Sequence, residues 1–145
     1  MIGKLILTHG GLARELLAAA QMISGRPAPL EALSLDWTAS FEEARAAVRE
    51  ALDRLDQGQG VLILTDMYGT TPCRIAMSFL DPGKIEVLTG VNLPMVARLS
   101  CQMEEGDLGQ VARGLQTKAQ KSHCLGSDMV QQKCDNAAPV AETKK

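Results

Sequence analysis

His9 and Asp66 are the residues of this chain best placed to do chemistry. Each ends an apolar run, His9 after "KLILT" and Asp66 after "VLILT". A carboxylate that accepts one ring N–H of an imidazole fixes the tautomer, and the other ring nitrogen keeps its lone pair as a directed nucleophile. Past Asp66, "MYGTTP" adds the hydroxyls of Thr70 and Thr71 and a helix start with Pro72 in its first turn. Helix starts attract anions through exposed N–H groups and the positive dipole end, and Gly10 and Gly11 let backbone approach closely beside His9. The combination is a histidine facing a phosphate-sized anion site, with Thr70, Thr71 and Gly10 as its cradle. Taken singly, His9 could be structural, and Asp66 and the threonines ordinary caps. Their convergence on one place is what carries the reading.

That convergence needs the two strand ends to be neighbours, and the order of elements supplies this. Lys4 to Thr8 reads as a strand apolar on both faces. A helix from about Leu12 to Ser24 follows, with Leu12, Leu16, Leu17, Ala20 and Ile23 on one stripe and Gly25 ending it. Leu30 to Leu35 is a second strand. Ser40 then caps a second helix, with Glu43 three residues on as in a capping box, and Ala44, Ala47, Val48, Ala51, Leu52 and Leu55 on its buried side. "GVLILTD" is the third strand, Cys73 to Leu80 a third helix stopped by Asp81-Pro82-Gly83, "KIEVLTG" a fourth strand, and Met95 to about Met103 a fourth helix.

A βαβαβαβα order with short loops implies an α/β fold: a doubly wound, mainly parallel sheet, strand order 2-1-3-4, with helices on both faces. Ligands of such sheets bind at the carboxyl ends of the strands where the order reverses, between strands 1 and 3. Adjacent parallel strands about 4.8 Å apart then bring His9 and Asp66 together.

From Gly106 the pattern thins, although Leu108, Val111, Ala112 and Leu115 still make a helical stripe. The expected division is one domain over 1–117 and a polar tail over 118–145. "DNAAPVAETKK" reads as disordered, and a short extra edge strand around His123 to Leu125 is an option for the C-terminal region.

Composition excludes several classes. With 145 residues, 46% hydrophobic content, two Phe, one Trp and one Tyr, the core is aliphatic. A net charge of −2, a pI near 5.7 and scattered Lys and Arg give no footprint for nucleic acid. No run approaches the ~20 apolar residues of a membrane span, and the N-terminus lacks a secretory pattern, so a cytoplasmic location is expected. Cys73, Cys101, Cys124 and Cys134 include no CxxC pair, and His123 with Cys124 and Cys134 fits no zinc-finger spacing.

"THGGLARELL" after the first strand, "LTDMYGTTP" at the third and "GVNLPM" after the fourth resemble the mannose-family IIA component of the bacterial sugar phosphotransferase system, over roughly residues 1 to 116. The resemblance rests on three motifs in the right order at the right strand ends. It implies that His9 accepts a phosphoryl group from the phosphohistidine of the carrier HPr and passes it to a IIB component. Asp66 matches the aspartate that holds the ring, leaving Nε2 as the attacked atom. Thr71 matches the hydroxyl residue of the family's Gly-Gly-Ser/Thr-Pro stretch, and Asn92 lies in the loop beside the site. Family members are homodimers, and contact with the membrane permease comes only through partners. The permease subunits choose the sugar, so no particular substrate is implied.

Transfer between histidines asks mainly for in-line positioning and charge stabilisation. Thr hydroxyls and amides suffice for this, so no metal and no other cofactor is expected. Protein donors must dock, and Met22, Tyr68 and Met95 are candidate contacts with Asn92, although the methionines equally suit the core. One departure stands out: Thr70 occupies the place of the family's second glycine, and a β-branched residue there would be strained if the position required positive φ.

Rival readings are a regulatory phosphoprotein whose His9 charge switch governs association with another protein, and the related dihydroxyacetone kinase phosphotransfer subunit. An aspartyl-phosphate receiver is disfavoured because no acidic residue follows the first strand.

Overall fold

The structure, a computed structural model, describes residues 1–136 except 28, 37 and 102–105. Its elements run β1 (Gly3–His9), α1 (Leu12–Ser24), β2 (Glu31–Leu35), α2 (Phe41–Leu55), β3 (Val61–Thr65), α3 (Thr71–Met77), β4 (Ile85–Thr89), α4 (Leu93–Cys101), α5 (Leu108–Gln120) and α6 (Gly126–Asn136). The four strands form one parallel sheet in the order β2-β1-β3-β4. This is the doubly wound α/β arrangement expected from the alternation of elements.

Both faces of the sheet are covered, which is why β1 and β3 are apolar without alternation. Ile6, Leu62 and Leu64 pack against α1, α4 and α5 through Ala13, Ala20, Val96, Leu99, Val111 and Leu115. Leu5, Leu7, Val61 and Ile63 pack on the opposite side against α2 and α3 through Val48, Ala51, Leu52 and Ile75, joined by Phe79 just past α3. β4, an edge strand, is only half-buried along its length.

Local chemistry sets the helix ends. The expected capping box is present: Ser40 accepts from the Glu43 amide, and the Glu43 side chain accepts from the Ser40 amide. α1 ends at Gly25 in the left-handed conformation, φ 65°. Its buried stripe differs from the expected one. Leu12 and Ile23 are exposed, while Ala13 and Ala20 are buried, because small residues let α1 lie close on the sheet and α4.

The C-terminal region also departs from expectation. Residues 123–125 form no strand and add none to the edge of the sheet. α5 runs to Gln120, past the expected boundary at 117, and α6 follows with residues 126–133 all exposed. A helix stretch that stays exposed has no buried stripe to reveal it in sequence. The expected disordered end, like the last residues of a fourth helix expected to reach about Met103, falls largely outside the described residues.

Candidate functional site

The strand order puts the ends of β1 and β3 side by side, with Leu7 in register with Thr65. One residue further on, Asp66 Oδ2 accepts from the backbone N–H of His9 at 3.0 Å and lies 2.6 Å from His9 Nδ1. Asp66 Oδ1 accepts from the Met67 amide at 2.9 Å. The carboxylate therefore grips the histidine twice, by main chain and by ring, and is itself aligned by the next residue.

The His9 side chain is 28% exposed and that of Asp66 is 13% exposed. Burial works to raise the Asp66 pKa. The hydrogen bonds from His9, its ring charge and the Met67 amide outweigh that, and the carboxyl titrates below its ordinary 3.8. A carboxylate ionised at neutral pH only accepts hydrogen bonds. Nδ1 must then carry a proton, and in the neutral ring Nε2 holds the lone pair.

Thr8 is a positioning residue that the sequence did not disclose. Fully buried at the end of β1, it accepts from the Ala13 amide at 2.8 Å. Gly11, at the N-cap position of α1, has no side chain to do so. Thr8 thus ties the helix start to the strand end beside His9. In sequence it reads as a β-branched strand residue, and only its place three residues before the N-cap hints otherwise. Gly10 makes the turn between His9 and α1 at φ 53°, a conformation that favours glycine.

Beyond Asp66, Gly69 has φ 80°, whereas Thr70 sits in extended backbone at φ −91°. Only the first glycine of the family pattern is needed for this loop, and Thr70 carries no backbone strain. The Thr70 hydroxyl donates to the Met67 carbonyl at 2.7 Å and closes the loop. Thr71 opens α3 and borders the same cleft as His9. With seven residues, α3 has a small dipole, so a phosphate here would depend on hydroxyls and loop amides.

The docking candidates separate. Tyr68 is 78% exposed, two residues from Asp66, and its neighbour Met67, not anticipated, is also exposed. Met22 is exposed but lies ten residues into α1, roughly 15 Å along the helix from its start near His9. It belongs to the far end of the molecule, not the rim of the site. Met95 is core, 2% exposed. Asn92 accepts from the Met95 amide at 3.1 Å at the start of α4, and it borders a different cleft with Gln116 and His123. The structure does not bring it into the His9 cleft.

No three metal-ligating side chains cluster among the described residues. No described helix is long and apolar enough to cross a membrane. Cys73 is buried as a free thiol, and Cys101 and Cys124 are exposed ones.

The family model described as the PTS system fructose IIA component matches residues 3–116, which hold every element from β1 through most of α5. The chain belongs to this mannose-type PTS IIA family. It is 26% identical over 129 residues to the fructose-specific EIIA component of Bacillus subtilis, covering 88% of each chain. It is 32% identical over 96 residues to the mannose-specific EIIAB component of Escherichia coli K12, covering 66% of this chain and 30% of that longer one. The mannose/sorbose-specific IIA subunit of Enterococcus faecalis superposes with a TM-score of 0.76 at 28% identity, covering 86% of this chain and 95% of that one. Membership in the family makes the chain a phosphotransferase component.

Proposed function

We propose that this IIA protein is a phosphocarrier that takes a phosphoryl group onto His9 Nε2 from phospho-HPr and passes it to a IIB component for sugar uptake. The observation that carries the reading is the 2.6 Å contact between His9 Nδ1 and an ionised Asp66 at the partly exposed sheet edge. Nε2 attacks phosphorus in line with the donor's N–P bond. The bonding pair stays with the donor ring, which leaves as neutral imidazole when its other nitrogen is protonated. His9 gains positive charge as the new N–P bond forms, and the adjacent carboxylate offsets it. In the second transfer the roles reverse, and His9 leaves with the pair. Thr71 and the backbone at Gly10 are assigned to the phosphoryl oxygens, Thr70 to holding the loop through its bond to the Met67 carbonyl, and Tyr68 to partner contact. No metal is required by this scheme. A homodimer and a cytoplasmic location complete the reading, supported by family membership.

The test is transfer in a reconstituted system. With phosphoenolpyruvate, enzyme I and HPr, the wild type takes up label, and His9→Ala takes up none. Addition of a cognate IIB drains the label. Label that persists on His9→Ala overturns the site. Label on His9 that no IIB drains replaces the transport role by the regulatory one, for which a phosphohistidine at the docking surface is a sufficient charge switch.

A further inference from the structure

Away from His9, two arginines converge on one aromatic ring. Arg45 and Arg49 sit one turn apart on α2, and their guanidinium carbons lie 4.7 and 4.6 Å from the centroid of Phe79, a buried ring just past α3. The ring face attracts each cation and gives it a set place. Ser78 fixes Arg45 further. Its hydroxyl donates to the Ile75 carbonyl at 2.7 Å and accepts from Arg45 Nε at 3.2 Å, so both terminal nitrogens of Arg45 keep their N–H groups available.

Like charges one turn apart on a helix repel and weaken it. Acids stand close by in the chain: Glu42, Glu50 and Asp53 share α2, and Asp81 follows α3. Neither arginine forms an ion pair among the described residues, and Asp81 pairs with Lys84 instead, at 3.3 Å. Arg74 adds a third exposed arginine one turn before Ser78, whose amide donates to the Arg74 carbonyl. The result is a concentration of oriented positive charge that no acid of the described residues offsets. Arg45 is half-buried and Arg49 exposed, so an ion reaches them without any opening of the fold. The length of α3, roughly 10 Å, separates Ser78 from Thr71 at the His9 cleft.

We propose that Arg45 and Arg49 form an anion site separate from His9, which takes a phosphate dianion either as the free ion or as the monoester of a small molecule. A carboxylate matches one guanidinium fork, whereas a doubly charged tetrahedral group offers oxygens to two forks at once and balances both charges. Phe79 and Ser78 hold the donors in place beforehand, so little side-chain order is lost on binding. The bound anion would also relieve the repulsion along α2. The site stands independently of whether His9 carries phosphate.

The experiment follows the side-chain Nε–H signals of Arg45 and Arg49 by NMR on the intact chain, near neutral pH, where a phosphate monoester is largely dianionic. Inorganic phosphate and glycerol phosphate are titrated separately, each against sodium chloride of equal ionic strength. Both signals should shift together and saturate with a Kd of about 1 mM or tighter. Arg45→Gln, read at Arg49, and Arg49→Gln, read at Arg45, should each weaken binding at least about tenfold. Arg54→Gln, near the far end of α2, removes the same charge elsewhere and should leave the Kd within about twofold. Circular dichroism checks that the variants fold. Tighter binding of glycerol phosphate assigns the site to an ester, and equal or weaker binding assigns it to the free ion. Shifts that chloride reproduces, shifts that grow without saturating, or an equal loss in Arg54→Gln would each overturn the inference, because the arginines would then only cover the ring and add to the general surface charge.

Discussion

Asp66→Asn is the most informative single change, because it keeps the size of the side chain and removes its charge. In the wild type the acid holds His9 through two hydrogen bonds on one oxygen, at 3.0 and 2.6 Å. Turning a charge-assisted hydrogen bond into a neutral one forfeits about 1.5 kcal/mol, which sets the lower bound. The upper bound is the attraction between carboxylate and imidazolium across ~4 Å at an effective dielectric of 20, about 4 kcal/mol. Loading of His9 should therefore slow by about 10- to 1,000-fold. The larger loss applies if the Asn amide turns its NH₂ toward Nδ1, because the ring proton then moves to Nε2 and blocks the nucleophile. Rapid-quench measurement of phosphoryl uptake from phospho-HPr reads the rate, and a thermal melt confirms the fold. A variant within about threefold of wild type would refute the assigned role of the carboxylate.

Other outcomes follow from the same contacts. Thr8→Val leaves the Ala13 amide without its acceptor in a buried place, and denaturant unfolding should show a loss of about 1–3 kcal/mol. Ser40→Ala removes half of the capping box and should cost about 1 kcal/mol in the same assay. The depressed Asp66 pKa gives a signed pH effect. Its stabilisation is full above the unfolded value near 3.8 and fades as pH falls through the lower folded value. Unfolding free energies of wild type and Asp66→Asn should thus differ at neutral pH and converge in acid; a difference that persists well below pH 3.8 would contradict the coupling.

Much of this site was legible in the sequence because it sits where regular elements meet. The uninterrupted runs "KLILT" and "VLILT" require a sheet covered on both faces, and the alternation of elements makes its strands parallel neighbours. From there the meeting of His9 and Asp66 follows. The features that escaped depend on geometry without a periodic signature. Thr8 caps α1 from within a strand, and a threonine in a strand signals nothing beyond β preference. Met22 and Met95 have the same side chain, yet helix direction carries one away from the site and packing buries the other. Ala13 displaces Leu12 from the buried stripe because close approach of α1 favours the smaller residue. The cleft beside His9 is assembled from segments that share no motif.

The position of the phosphoryl group on the His9 ring tests the account most directly. Phosphorylation of ¹⁵N-histidine-labelled protein, read by ³¹P–¹⁵N coupling, should give one phosphohistidine, absent in His9→Ala, with phosphorus on Nε2 and the Asp66-bound Nδ1 still protonated. Phosphorus on Nδ1, or on any other residue of the wild type, would contradict it.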